Sequence, residues 1–167
     1  RDIIKGLHIQ RTKVILGGSA AKGTWLHNNH DIDIYVKFDP KAYTGKNISD
    51  ILHEHLTGAT RIHGSRDYFQ LQKEGYTIEL IPIIDITKPD EAQNITDVSP
   101  FHAGWVLKHK KYTNDILLAK AFAKAAGVYG AESYIQGFSG YAMEVLTIHY
   151  KGFRNLLKNA AQWKARV

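Results

Sequence analysis

The chain has 167 residues, 44% of them hydrophobic and 23% charged, enough for a buried core of ordinary globular composition. It has no cysteine, which excludes disulfide frameworks, thiolate zinc sites and thiol nucleophiles and fits a reducing compartment such as the cytoplasm. The formal net charge of +6 suits a polyanionic partner, and on charge alone equally a basic protein with none; the absence of any run of about 18 apolar residues predicts no membrane span.

The opening Arg1-Asp-Ile-Ile-Lys5 has neither an initiating Met nor the pattern of a signal peptide, and reads as the start of an excised fragment. Lys13–Leu16 is a short apolar run, expected as a strand, that ends in Gly17-Gly18-Ser19. A helix is expected to start within Ala20–Trp25. Asp31–Val36 alternates polar and apolar residues with period two, the mark of a half-buried strand. Asn47–Leu56 carries Ile48, Ile51, Leu52 and His55 on one stripe and predicts an amphipathic helix. Tyr68–Leu71 and Tyr76–Ile84 predict two strands joined by a hairpin turn at Glu74-Gly75. Pro82, late in the second of them, points to a strand end or an edge.

From Pro89 onward the pattern is helical. Pro100 suits the first turn of a helix over Phe101–Lys111. Thr113 or Asn114 can cap the next, which runs to Ala126 and stops at Gly127. Ser139 caps a third, Gly140–Tyr150, whose Met143, Val145, Leu146 and Ile148 predict burial, and a last helix spans Phe153–Lys164. Strands followed by helices indicate an α+β architecture.

The chemistry concentrates in the first half. Side chains at i and i+2 of a strand share a face, so Asp31 and Asp33 project together while Ile32 and Ile34 point to the core. Adjacent carboxylates repel, and both stay ionised most easily with a cation between them. Hard oxygen ligands of this kind suit Mg²⁺, which shares its shell with phosphate oxygens. Glu79 is a third carboxylate, set in the apolar run Ile78-Glu79-Leu80-Ile81. A charge there is costly unless it faces a cleft or a cation. Convergence of the three would form the protein part of a two-metal phosphoryl-transfer site. Upstream, Gly17-Gly18-Ser19 lets backbone approach a ligand, with the Ser19 hydroxyl and the Lys22 ammonium suited to phosphates. Taken alone, the same residues read equally as a tight turn with a capping serine.

Gly18-Ser-Ala-Ala-Lys-Gly-Thr-Trp-Leu26 followed by Asp31-Ile-Asp-Ile-Tyr-Val36 resembles the signature of class I, archaeal-type CCA-adding enzymes. These are tRNA nucleotidyltransferases related to eukaryotic poly(A) polymerases and oligoadenylate synthetases. Glu79-Leu-Ile-Pro82, Asp97-Val-Ser-Pro-Phe-His102, Asn114–Phe122, Gly127–Glu132 and Gly137–Tyr141 resemble later family segments in the same order. The resemblance implies a polymerase β-like palm with a short mixed or antiparallel sheet over residues 1–95 and a helical neck over 96–167, with body and tail domains beyond it in the family. It implies CMP and AMP transfer from CTP and ATP to a tRNA acceptor end. Asp31, Asp33 and Glu79 would hold two Mg²⁺ ions, and Gly18, Ser19, Lys22, His102, Lys120 and Tyr129 would bind the nucleotide. Local reasoning reaches Lys120 through the apolar stripe Leu117, Leu118, Ala121 and Phe122 beside it, which would bring it to a cleft edge. On local grounds alone His102 reads as a surface residue and Tyr129 as a packing residue. Another nucleotidyltransferase of the same superfamily, or a non-catalytic RNA- or nucleotide-binding domain, remains the alternative.

The chain also departs from the family pattern. Glu79 stands where the third carboxylate is usually Asp, Val98-Ser99 replaces a common Arg after Asp97, Asp67-Tyr68 replaces a His-Pro-Tyr segment, and Gln136 replaces a frequent Arg. Basic residues cluster at Lys108–Lys111 and recur at helical spacing at Lys151, Arg154, Lys158, Lys164 and Arg166, a pattern that suits phosphate tracking or simply a solvated face. Trp105, Tyr112 and Trp163 can stack on bases or pack in a core.

Overall fold

The structure, a computed structural model, describes residues 8–27 and 31–164. The opening five residues and Arg166 lie outside the described residues. The chain divides into two units, Arg1–Ala21 with His30–Ala103 and Lys22–Asn29 with Gly104–Val167.

The first unit is built on a five-stranded mixed sheet. Its strands are β1 (Thr12–Leu16), β2 (Asp31–Phe38), β3 (Thr60–Ile62), β4 (Tyr68–Lys73) and β5 (Tyr76–Ile84), in the order β1-β2-β5-β4-β3. Only β2 and β5 run parallel, in the register Asp31↔Thr77, Asp33↔Glu79 and Phe38↔Ile84. The other neighbours are antiparallel. The core face carries Ile34, Val36, Phe38, Phe69, Ile78, Leu80 and Ile84. Helix α3 (Ile48–Glu54) buries Ile48 and Leu52 on that face, with Asn47 capping it by accepting the Ser49 and Asp50 amides. Helices α1 (Gly18–Lys22) and α2 (Pro40–Tyr43) are single turns.

The hairpin forms as its sequence predicts. Lys73 pairs with Tyr76, and Glu74 and Gly75 take φ of 52° and 79°, the double positive-φ geometry of a two-residue turn. Pro82 requires a correction. It lies inside β5, which is a central strand, rather than at a strand end or a sheet edge. The strand tolerates it because β4 pairs with β5 only as far as Phe69↔Leu80. The Pro82 carbonyl accepts from Arg66 at 3.3 Å, and the missing N–H lies on that same side, where no ladder bond is needed.

Asp97 ties this unit together. It is fully buried, pairs with the Arg66 guanidinium, and accepts the amides of Ile84 at 2.9 Å and of Gln93 and Asn94 at 3.0 Å. One carboxylate thus joins the end of β5, the loop before β4 and the turn after β5.

The second unit contains α5 (Thr113–Ala125), α6 (Gly140–His149), α7 (Phe153–Ala160) and the C-terminal part of α4 (Ser99–Lys108). Helix α4 starts two residues earlier than the sequence predicts and ends at Lys108, where a 3₁₀ turn over Lys110–Tyr112 takes over. Neither Thr113 nor Asn114 caps α5. Tyr112 holds the cap position, and the Thr113 hydroxyl turns back to the Lys110 carbonyl at 2.7 Å. Gly127 does end α5, with φ of 69°. Ser139 caps α6 by accepting the Ala142 amide at 3.1 Å. Ala119, Ala123, Met143 and Leu156 form one small core, and Val106, Ile116 and Ile148 another. No helix among the described residues is long and apolar enough to cross a membrane.

Candidate active site

In the first unit the carboxylates fall on the sheet face opposite the core. Strand alternation sends Ile32, Ile34, Val36 and Phe38 inward and leaves Asp31, Asp33 and Tyr35 on the other side. The parallel register sets Glu79 directly beside Asp33, and the antiparallel register sets Gln70 on the far side of Glu79. Gln70 Nε2 donates to Glu79 Oε1 at 2.8 Å. Burial pushes the Glu79 carboxyl up, Gln70 opposes that, and the negative charges of Asp33 and Asp31 push it further up. The sequence therefore places these three acids on one face, and both aspartates act electrostatically on Glu79.

The donor set is all oxygen, which fits a hard divalent cation. Mutual repulsion at Glu79 is what such a cation would relieve. Among the described residues, however, no three His, Cys, Asp or Glu side chains are drawn around a common point. Glu79 is turned toward Gln70.

Gly17 and Gly18 fit this face closely. The Gly17 amide donates to the Asp33 carbonyl at 2.8 Å. Gly18 has φ of 55°, and a Cβ there would overlap the Asp33 carboxylate; one at Gly17 would overlap the Tyr35 ring. Glycine is required at both for the backbone to pass this close. Tyr35, 8% exposed, is bonded to the Ser99 side chain and the Gly18 backbone, and burial raises its phenol above the usual range. Tyr35 and Gln70 are site neighbours that sequence reasoning missed. Strand parity could have found both, since each shares a face with a carboxylate. Ser19 stands in the single-turn α1, a helix that begins at Gly18 rather than Ala20. His102 lies half-buried on α4.

In the second unit Lys22, Lys120 and Tyr129 come together with residues that the sequence did not single out. Lys120 is 1% exposed. The stripe of Leu117, Leu118, Ala121 and Phe122 does not lead it to a cleft edge, because Leu118 and Phe122 face solvent while Ile116, Ala119, Lys120 and Ala123 form the buried face of α5. Its ammonium bonds Glu144 Oε1 at 2.6 Å, the Thr24 carbonyl at 3.1 Å and Thr24 Oγ1 at 3.2 Å. Lys22 bonds Glu144 Oε2 at 2.7 Å and stands 5.7 Å from the centre of the Tyr141 ring. A Cβ on Gly140 would lie 2.8 Å from the Tyr129 hydroxyl and 3.7 Å from the Lys120 ammonium, so Gly140 is the gap that admits both. Burial pushes Glu144 up, but Lys120 and Lys22 outweigh it and hold the carboxyl below its usual range.

The surface bases Lys108, Lys110, Lys111, Lys151, Arg154 and Lys158 are all exposed. Of the three aromatic candidates, Tyr112 packs against the Val106 core, Trp105 rests against His109 and Tyr141, and Trp163 rests against Phe138 and Tyr150.

Comparison with known proteins adds an independent line. Residues 1–102 match the family described as nucleotidyltransferase domain, and residues 114–167 match tRNA nucleotidyltransferase, second domain. The chain is 52% identical over 159 residues to a CCA-adding enzyme of Nanoarchaeum equitans, covering 92% of this chain and 40% of that protein. It is 36% identical over 154 residues to the CCA-adding enzyme of Methanosarcina acetivorans, covering 88% and 34%. The chain thus spans well under half the length of these relatives. Among solved structures it resembles a cyclic dinucleotide synthase of Elizabethkingia meningoseptica, with a TM-score of 0.67, 15% identity and coverage of 95% and 71%. It also resembles the Cid1 poly(U) polymerase, with a TM-score of 0.65, 14% identity and coverage of 89% and 45%. At such identity these two speak for the fold alone, an α+β nucleotidyltransferase fold.

Proposed function

Since the chain belongs to the nucleotidyltransferase domain family, we propose that it is the catalytic part of a CCA-adding enzyme, transferring CMP and AMP from CTP and ATP to the 3′ end of a tRNA. The observation that carries this reading is the register Asp33↔Glu79, with Asp31 on the same face. Similarity to CCA-adding enzymes over about nine-tenths of the chain supports the choice of acceptor and nucleotides.

In this reading Asp31, Asp33 and Glu79 hold the cations, with Mg²⁺ the ion their oxygen donors suit. Bound there, two such ions would lower the pKa of the attacking 3′-hydroxyl and neutralise the triphosphate. The residues of the chain supply position and charge. Gln70 holds Glu79 until its carboxylate is needed, and Gly17 and Gly18 admit backbone beside Asp33. Gly18, Ser19, His102, Lys22, Lys120 and Tyr129 are assigned to the nucleotide and its phosphates. The 3′-hydroxyl gives its proton to water, its oxygen bonds to the α-phosphorus as the bond to the bridging oxygen breaks, and pyrophosphate leaves. A cytoplasmic setting accords with a tRNA substrate and a cysteine-free chain.

The test is extension of a tRNA minihelix that lacks its CCA end, with labelled CTP and ATP and Mg²⁺, beside the Asp31→Ala/Asp33→Ala variant. Addition of two C and one A, lost in the variant, is the expected result. Indiscriminate addition would favour another polymerase of this superfamily, and nucleotide binding that survives the double substitution with no transfer would favour a non-catalytic domain.

A further inference from the structure

Glu144 is the one fully buried acid of the second unit among the described residues, and no role proposed above uses it. It sits in the middle of α6, where an unpaired carboxylate would be strongly destabilising. Both of its oxygens are occupied. Oε1 accepts from Thr24 Oγ1 at 2.6 Å and from Lys120 at 2.6 Å, and Oε2 accepts from Lys22 at 2.7 Å. Thr24 is itself fully buried, and its hydroxyl and carbonyl take the remaining two Lys120 bonds. Lys120 therefore spends its three donors inside this cluster. Lys22 makes one charged contact and lies alongside Tyr141, one helical turn from Glu144 on the same face of α6.

We propose that Glu144 is a positioning residue for the phosphate chain of the nucleotide: its carboxylate fixes Lys22, with Lys120 and Thr24 as the buried brace, so that the Lys22 ammonium is presented in one orientation. This deepens the nucleotidyl-transfer reading and rests on it. Two ammonium groups against one carboxylate leave the cluster one positive charge in excess, so an anionic group rather than a neutral one completes it. A flexible lysine loses conformational freedom when it grips a phosphate; a lysine already held by a short charged bond has lost most of it beforehand.

If Glu144 acted only as a nearby negative charge, its removal would strengthen anion binding. If it positions Lys22, removal weakens it. The test titrates inorganic tripolyphosphate and ATP calorimetrically into the whole chain for wild type, Glu144→Gln, Lys22→Met and the double variant. Glu144→Gln should weaken tripolyphosphate binding about tenfold or more, the scale of one lost charge-assisted hydrogen bond. In the Lys22→Met background the same substitution should change affinity by no more than about twofold, because the two residues act as a unit. Unchanged or tighter binding in Glu144→Gln, or fully additive losses in the double variant, would overturn it. Circular dichroism checks that each variant folds. Should Glu144→Gln fail to fold, Thr24→Val removes part of the brace at constant charge and should weaken binding about threefold or more, on the scale of a neutral hydrogen bond; unchanged affinity there would equally overturn the proposal. A wild-type chain that binds neither ligand would sink the nucleotide reading itself, whereas wild-type binding with a tighter Glu144→Gln sinks only the positioning role.

Discussion

Gly18 shows how one residue can decide whether the carboxylate face forms. Its φ of 55° and the Asp33 carboxylate standing where a Cβ would go make alanine doubly unsuitable. Gly18→Ala should lower stability in urea by about 1 kcal/mol or more from backbone strain alone. It should also reduce nucleotide transfer more than the loss of folded protein explains, because Asp33 must move. Asp97 is a different case. Its neighbourhood is structural, with Arg66 and three amides converging on one buried carboxylate. Asp97→Ala should cost about 3–5 kcal/mol, the range for removing one partner of a buried ion pair, read as a drop in the urea midpoint. The sequence marked Asp31 and Asp33 through strand alternation and Glu79 as a charge inside an apolar run, both of them local and visible signals. It did not mark Glu144 or the Arg66–Asp97 pair, since partners separated by 120 or 31 residues leave no periodic trace.

At the level of elements, the period-two pattern located β2, a largely apolar run located β5, and the two-residue spacing located the hairpin between β4 and β5. Glu74 occupies a left-handed position there without the freedom of glycine or asparagine. Glu74→Asn should therefore stabilise the protein by about 0.5–1 kcal/mol, measured as a rise in the urea midpoint, with nucleotide transfer unchanged. The sequence missed β3, whose three residues are too few to establish a period. It also misplaced helix ends: α7 stops at Ala160 rather than Lys164, and Thr113 bonds backward instead of capping. The Leu117–Phe122 stripe misled for a physical reason. Its exposed leucine and phenylalanine lie outside, while the buried face of α5 is Ile116, Ala119 and Ala123 together with a lysine whose charge is satisfied internally. Hydrophobicity alone points the wrong way when a helix buries an ion pair.

Over the whole molecule, the net charge of +6 and the buried Lys22–Glu144–Lys120 cluster make stability depend on pH in a defined direction. Burial alone would raise the Glu144 carboxyl, but Lys120 and Lys22 hold it below the usual 4.5. Its stabilising contribution is present above that value and is lost as pH falls through the lower folded-state pKa. Urea midpoints should accordingly fall on acidification below about pH 4.5, and Glu144→Gln should flatten that part of the curve relative to wild type. In the proposed reading the Asp31, Asp33 and Glu79 face carries out nucleotidyl transfer. It is tested most directly by incubating the chain with α-labelled CTP, Mg²⁺ and a tRNA acceptor end, and counting label transferred and pyrophosphate released for wild type and Asp33→Asn. One pyrophosphate per nucleotide added, with both signals abolished in the folded variant, is the predicted result. Transfer that persists in Asp33→Asn at the wild-type rate would contradict it.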